Sequence, residues 1–283
     1  MKLVYKILLT SLVFLLVLNE VSAAQDENYT LIEEYDLPAE LKESSALFCS
    51  SNDTAFTLND SGNQAVIYEI DNKGIIVSSR SLDIKNKDWE AITGDENYLY
   101  IGDIGNNRGN RKKLKIQKVT RTGEAQVIET VEFSYSNNIT NDNKYLAHDF
   151  DAEAMVNHGS NLYLFSKSWD TGTLFIYKLD KTTDEQVIKP AFEVNGLPGV
   201  ITGGDYDTKR KQFVLVGYKV WGLGFFSPFM TILDENLNLV KYFNLEGYGQ
   251  VEGVCITSND EVWFTQENSF FSKNKLVKVK VTY

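Results

Sequence analysis

The chain has 283 residues, of which 43% are hydrophobic, 24% charged and 12% aromatic, an ordinary globular composition. Its 39 acidic and 28 basic residues give a formal charge of −11, which disfavours broad contact with nucleic acid or anionic membranes. Two His and two Cys are too few for an ordinary zinc site or iron–sulfur cluster, and disulfides cannot be the main scaffold.

Residues 1–23 read as a secretory signal peptide. Lys2 and Lys6 precede an apolar run from Ile7 to Leu18, and Val21-Ser22-Ala23 offers a small residue for cleavage. The run is short for a membrane span, no later run reaches 18 apolar residues, and no Cys follows for lipid attachment. The expected mature chain, 24–283, is a single domain without a transmembrane segment, secreted or periplasmic, and monomeric.

From residue 40 onward the chain repeats itself. Five segments begin alike: Glu43-Ser-Ser-Ala-Leu, Glu90-Ala-Ile-Thr, Glu153-Ala-Met-Val, Thr202-Gly-Gly-Asp-Tyr and Glu252-Gly-Val-Cys-Ile. About ten residues after each start comes a second strand-like run, AFTLND, LYIGDI, LYLFSK, FVLVGY and VWFTQE in turn. Third runs follow at AVIYEI, KLKIQKV, LFIYKL, PFMTIL and KLVKVKV, and four repeats add a fourth: IIVSSRSL, VIETVEF, KPAFEVN and LVKYFNL. All are short, β-branched or aromatic, and bounded by turn signals. The fifth repeat lacks its fourth strand because the chain ends. YTLIEEYDLP, at 29–38, precedes Glu43 as LVKYFNLEGY precedes Glu252, so it is expected to complete the last repeat.

The pattern predicts an all-β, five-bladed β-propeller of four-stranded blades, closed by the N-terminal strand. The alternatives are a β-sandwich and a ring with a sixth, degenerate blade inside 120–150. With strands a to d running outward from the axis, the d-to-a and b-to-c loops share one face, and that face carries the long, unusual loops. The inner strands start there with carboxylates.

A ring of Ser45, Glu90, Glu153, Thr202 and Glu252 is therefore the predicted metal site, and hard oxygen ligands suit Ca²⁺. Asp88, Asp151 and Asp205 are placed beside it, with Asn59, Asp60 and Asp103 ending strands b at the same mouth. The alternative is that these acids cap strand ends. A basic and aromatic rim of Trp89, Arg108, Arg111, Lys167, Trp169, Tyr218, Lys219 and Trp221, with Phe270 and Phe271 nearby, would take a small anionic or glycan-like ligand. Were the protein an enzyme, a metal-dependent hydrolase of phosphoester, nucleotide or lactone would be the expected class, with Asp103 or Glu90 orienting water. His148 is read as a lone loop histidine. Cys49 and Cys255 fall on inner strands of neighbouring blades. An oxidising compartment allows a disulfide between them, but splayed strands would keep them apart, so two buried free thiols are the favoured expectation.

The run NDSGN…IYEID…DWEAITGDENYLYIGDIGNNRGNR, followed by DAEAM, ITGGDYD and QVEGVCI, resembles a group of uncharacterised secreted bacterial propellers over nearly the whole mature chain. In blade layout it is also similar to the calcium-activated nucleotidases (soluble apyrases). That resemblance implies one Glu or Ser per blade around a central calcium: Glu90, Glu153, Glu252 and Ser45 match by context, and Thr202 departs from the pattern in residue type. The nucleotide-contacting loops do not match. The function expected is a calcium-binding propeller with a ligand on its loop face. The alternative is a non-catalytic binding or protein-interaction propeller with an extracellular partner and a structural calcium.

Overall fold

A computed structural model describes residues 28–222, 225–268 and 272–283; the segment read as a signal peptide, 1–23, and Phe270–Phe271 lie outside the described residues. Five sheets form a five-bladed propeller, as the repeat predicts. Blade I comprises Ser44–Cys49, Thr54–Asn59, Val66–Asp71 and Ile76–Ser81. Blade II comprises Trp89–Gly94, Tyr98–Asp103, Leu114–Thr120 and Val127–Tyr135, and blade III Ala152–His158, Asn161–Ser166, Leu174–Asp180 and Phe192–Val194. Blade IV comprises Val200–Asp207, Gln212–Trp221, Phe225–Asp234 and Leu239–Asn244, and blade V Val251–Ile256, Val262–Gln266, Lys275–Val281 and, outermost, Tyr29–Asp36.

Residues 136–151 connect blades II and III and hold no sixth blade. One feature was not read from the sequence. Glu185–Ile188, before the short outer strand of blade III, pairs in parallel with Val127–Tyr135 and adds a fifth strand to blade II.

Strand alternation explains the core. Successive side chains point to opposite sheet faces, so each blade contributes to two interfaces. In blade IV, Phe213 and Leu215 pack against Phe165 and Ile176 of blade III. Val214 and Val216 pack against Val254 and Phe264 of blade V. Each of the five junctions holds one such apolar cluster. Trp263 is fully buried at the V–I junction.

Two devices close the ring. Tyr29–Asp36 pairs with Lys275–Val281 along the register Tyr29↔Val281 to Asp36↔Lys275. Opposite charges line this ladder: Glu33 meets Lys278 at 2.6 Å, Glu34 meets Lys275 at 2.5 Å and Asp36 meets Lys273 at 2.7 Å. The second device corrects the expectation of free thiols. Cys49 and Cys255 form a disulfide with Cα atoms 5.4 Å apart. The inner strands are not splayed here, because a Cβ on Gly253 would sit 2.7 Å from the backbone of Ala46 and Leu47. Glycine two residues before Cys255 lets blades V and I approach within bridging range.

The disulfide spans 206 residues, a separation for which the chain-entropy model gives a stabilisation of about 5 kcal/mol. The two closures act on the same junction, so their effects should couple. Deleting residues 28–36 from the oxidised protein should lower the Tm yet leave one cooperative transition in calorimetry. Adding reductant to that truncated chain should abolish it. Identical melting of the truncated chain with and without reductant would contradict the staple.

Candidate cation site at the channel mouth

Every inner strand carries a β-bulge at the residue the repeat singled out. Pairing with strand b shifts between Ser44 and Ala46, Trp89 and Ala91, Ala152 and Ala154, Ile201 and Gly203, and Val251 and Val254. The residues skipped are Ser45, Glu90, Glu153, Thr202 and the Glu252-Gly253 pair. A bulge re-aims its side chain out of the alternation, so these five positions form one buried ring. Its hydroxyls tie neighbouring blades together. Ser45 Oγ donates to Trp89 O at 3.3 Å, and Thr202 Oγ1 donates to Val251 O at 2.7 Å. Below the ring the channel narrows to a void of about 10 Å³, room for roughly one water.

The register exposes a second ring that the sequence reading did not assemble. Along strand b, one residue past the partner of the pre-bulge residue, the blades present Asp60, Ile104, Lys167, Tyr218 and Glu267. The signal was present in the aligned ends LND, GDI, FSK, VGY and TQE, read one column further on. Glu267 was the residue missed.

Between blades I and II, carboxylate oxygens of Asp60, Asp88 and Glu90 lie within 4.8 Å of one another. Asn86 holds this corner. Its Nδ2 donates to Asn59 O at 3.0 Å and Asp60 O at 2.9 Å, while its Oδ1 accepts from Trp89 N at 3.0 Å. The GDIGNN loop then crosses above, and Ile104 N and Gly105 N both donate to Asp88 O. Any Cβ on Gly105 would strike Glu90 Oε1 and the Asp88 carboxylate, so only glycine lets the loop pass.

Two buried cations sit among the acids. Arg111 pairs with Asp103 at 2.5 Å and reaches Asp88 at 3.8 Å, and its guanidinium also donates to Gly105 O. Lys167 pairs with Glu153 and lies 5.3 Å from the ring centres of both Trp169 and Tyr218. These cations leave acceptors over. Glu153 Oε2, Asp151 Oδ2 and Asn59 Oδ1 are buried with no partner among the described residues.

Burial is the largest cause of the raised carboxyl pKa values. It drives Glu90 well above the usual range, and Glu153, Asp60 and Asp88 add repulsion. Glu153 is raised likewise, with Lys167 opposing. Burial lifts Asp88 to about 6, and Glu252 and Glu267 to about 8.

Several expected site residues sit elsewhere. Trp89 is fully buried at the I–II junction rather than on the rim, because it points opposite to Glu90. Asp205 lies at the far end of its inner strand, where it accepts from Ile256 N at 2.8 Å, since Thr202 already occupies the near end. Arg111 and Lys167 lie inside the acidic mouth in ion pairs, not on an open rim. Tyr218 is buried against Lys167. Trp169 is half-buried, while Arg108, Lys219 and Trp221 are exposed. Arg108 lies over Tyr145 and Lys219 over Trp221. His148 is structural: Nδ1 accepts from Phe150 N at 3.1 Å and Nε2 faces Asn107 O at 3.2 Å.

The sequence matches no protein-family model and no curated protein. Its fold is similar to solved propellers. A streptogramin B lyase aligns with TM-score 0.42 at 16% identity, covering 88% of this chain and 69% of that one. A virginiamycin B lyase from Staphylococcus aureus gives 0.44 at 16% identity, covering 89% and 71%. The WD40 propeller domain of Doa1 gives 0.48 at 10% identity, covering 89% and 97%.

The raised carboxyls fix a pH dependence. In the folded protein Glu252 and Glu267 hold protons up to about pH 8, whereas their ordinary value is 4.5. The folded state therefore binds more protons across that interval, and stability falls as pH rises through it. In chelator, the Tm should drop from pH 5 to pH 8, and Glu252→Gln should flatten the slope. A Tm that stays level or rises over this window would contradict the buried acidic mouth.

Proposed function

We propose that this chain is a secreted or periplasmic propeller that holds a hard divalent cation, Ca²⁺ by preference, at the loop-face mouth of its channel, and binds a small anionic or glycan-like ligand above it. The observation that carries the reading is the meeting of Asp60, Asp88 and Glu90 within 4.8 Å, in a mouth where Asn59, Asp151 and Glu153 also keep buried oxygens without a partner among the described residues. Like charges that close are relieved either by protons or by a cation, and an all-oxygen donor set of flexible spacing fits Ca²⁺. The calcium would therefore sit towards blades I and II, because Lys167 already neutralises Glu153 on the other side. Ser45 and Thr202 direct their hydroxyls to the backbone, and Glu252 accepts from Gln250 at 2.6 Å. They would shape the cup more than ligate.

Arg108, Lys219, Trp169 and Trp221 remain as the outward cationic and aromatic surface for a ligand. A binding role is favoured over hydrolysis by the state of Asp103, whose carboxylate is engaged by Arg111 and is not free to orient water. The disulfide supports an oxidising compartment.

Stability should then rise with free calcium as RT ln(1 + [L]/Kd), about 2.7 kcal/mol at a hundredfold excess over Kd. Glu90→Gln keeps the shape and removes one ligand charge. Scanning calorimetry should show a calcium-dependent rise in Tm for the wild type and a much smaller one for Glu90→Gln, while Glu129→Gln, on an outer strand, responds like wild type. Equal wild-type melting in calcium and chelator would reject the reading.

A further inference from the structure

A second cavity lies on the outer part of the loop face, between blades II and III, with a volume of about 440 Å³. That is within the range of small-molecule pockets, roughly 300–1,000 Å³. Its apolar walls are the rings of Tyr135, Phe150, Phe175 and Tyr177. Tyr135 centres this group, with ring centroids 4.9 Å from Tyr177 and 5.8 Å from Phe150. Three acids, Asp149, Asp170 and Glu193, complete the lining, and no Lys or Arg is among the lining residues. His148 also lines the cavity, its Nδ1 taken up by Phe150 N at 3.1 Å.

We propose that this cavity binds a small organic cation, an amine or quaternary ammonium with an apolar body. Aromatic faces attract a positive charge through their quadrupoles, and the acids add a Coulombic pull that a neutral or anionic molecule lacks. Asp149 is held in position by Asp170 N and Thr171 N, which donate to its Oδ1 at 3.0 and 3.2 Å. The rim is thus fixed to the turn that carries Asp170.

This site is separate from the channel mouth, so calcium and amine should bind independently. The test is calorimetric titration of the calcium-loaded protein with tyramine, with its neutral alcohol analogue tyrosol, and with 3-(4-hydroxyphenyl)propanoate. Tyramine should bind at least about tenfold more tightly than tyrosol, and the carboxylate should not bind. Asp170 and Glu193 are exposed, so the double variant Asp170→Asn/Glu193→Gln should fold normally, lose about tenfold for tyramine and leave tyrosol unchanged. Glu90→Gln should leave tyramine binding intact. The proposal is overturned if tyramine and tyrosol bind equally, if tyramine fails to bind at about 10 mM, if the double variant binds it as wild type does, or if Glu90→Gln abolishes it.

Discussion

The crowding of carboxylates at one end of the channel is the constraint to which the rest of the loop face responds. Five bulges bring one residue from each inner strand to the same level, and three of those residues are glutamates. Asp60, Asp88, Asp151 and Glu267 then close in from the loops. A bare cluster of this kind would repel itself apart. The structure answers with Lys167 against Glu153 and Arg111 against Asp103 and Asp88, both buried. Removing one partner of such a pair leaves a buried charge unmatched, which costs about 3–5 kcal/mol. Lys167 and Arg111 therefore serve to hold the acids together, and the oxygens they do not reach define where a cation has room to act.

The scaffold tolerates this repulsion because its stability lies elsewhere. Each blade junction has its own apolar cluster, and alternation along every strand feeds two of them. The ring is closed twice at blade V, once by a charged ladder and once by a disulfide. Surface ion pairs such as Glu34–Lys275 contribute little alone, roughly 0–1 kcal/mol, but here they fix the register of the strand whose loss would open two sheet edges.

The blades were legible because strands, turns and inner-strand starts recur at intervals of 47, 63, 49 and 50 residues. Glu90, Glu153 and Glu252 were legible as repeat heads, though not the bulges that turn them into the ring. What could not be read was pairing. A sequence shows that Arg111 and Lys167 are basic, not that their loops fold inward onto Asp103 and Glu153. It places Asp205 near Thr202 in sequence, yet three residues along a strand at about 3.3 Å each carry it away from the mouth. Trp89 was misplaced by neglecting that it faces opposite to Glu90. The disulfide could not be decided from sequence because the approach of blades V and I depends on Gly253, a close contact between residues more than 200 positions apart.

The most direct measurement is a crystal structure of the protein soaked with a lanthanide in place of calcium. An anomalous peak should appear between Asp60, Asp88 and Glu90, with carboxylate oxygens at about 2.3–2.6 Å from the ion. A mouth without an anomalous peak, with Lys167 or waters bridging the three carboxylates, would contradict the cation site.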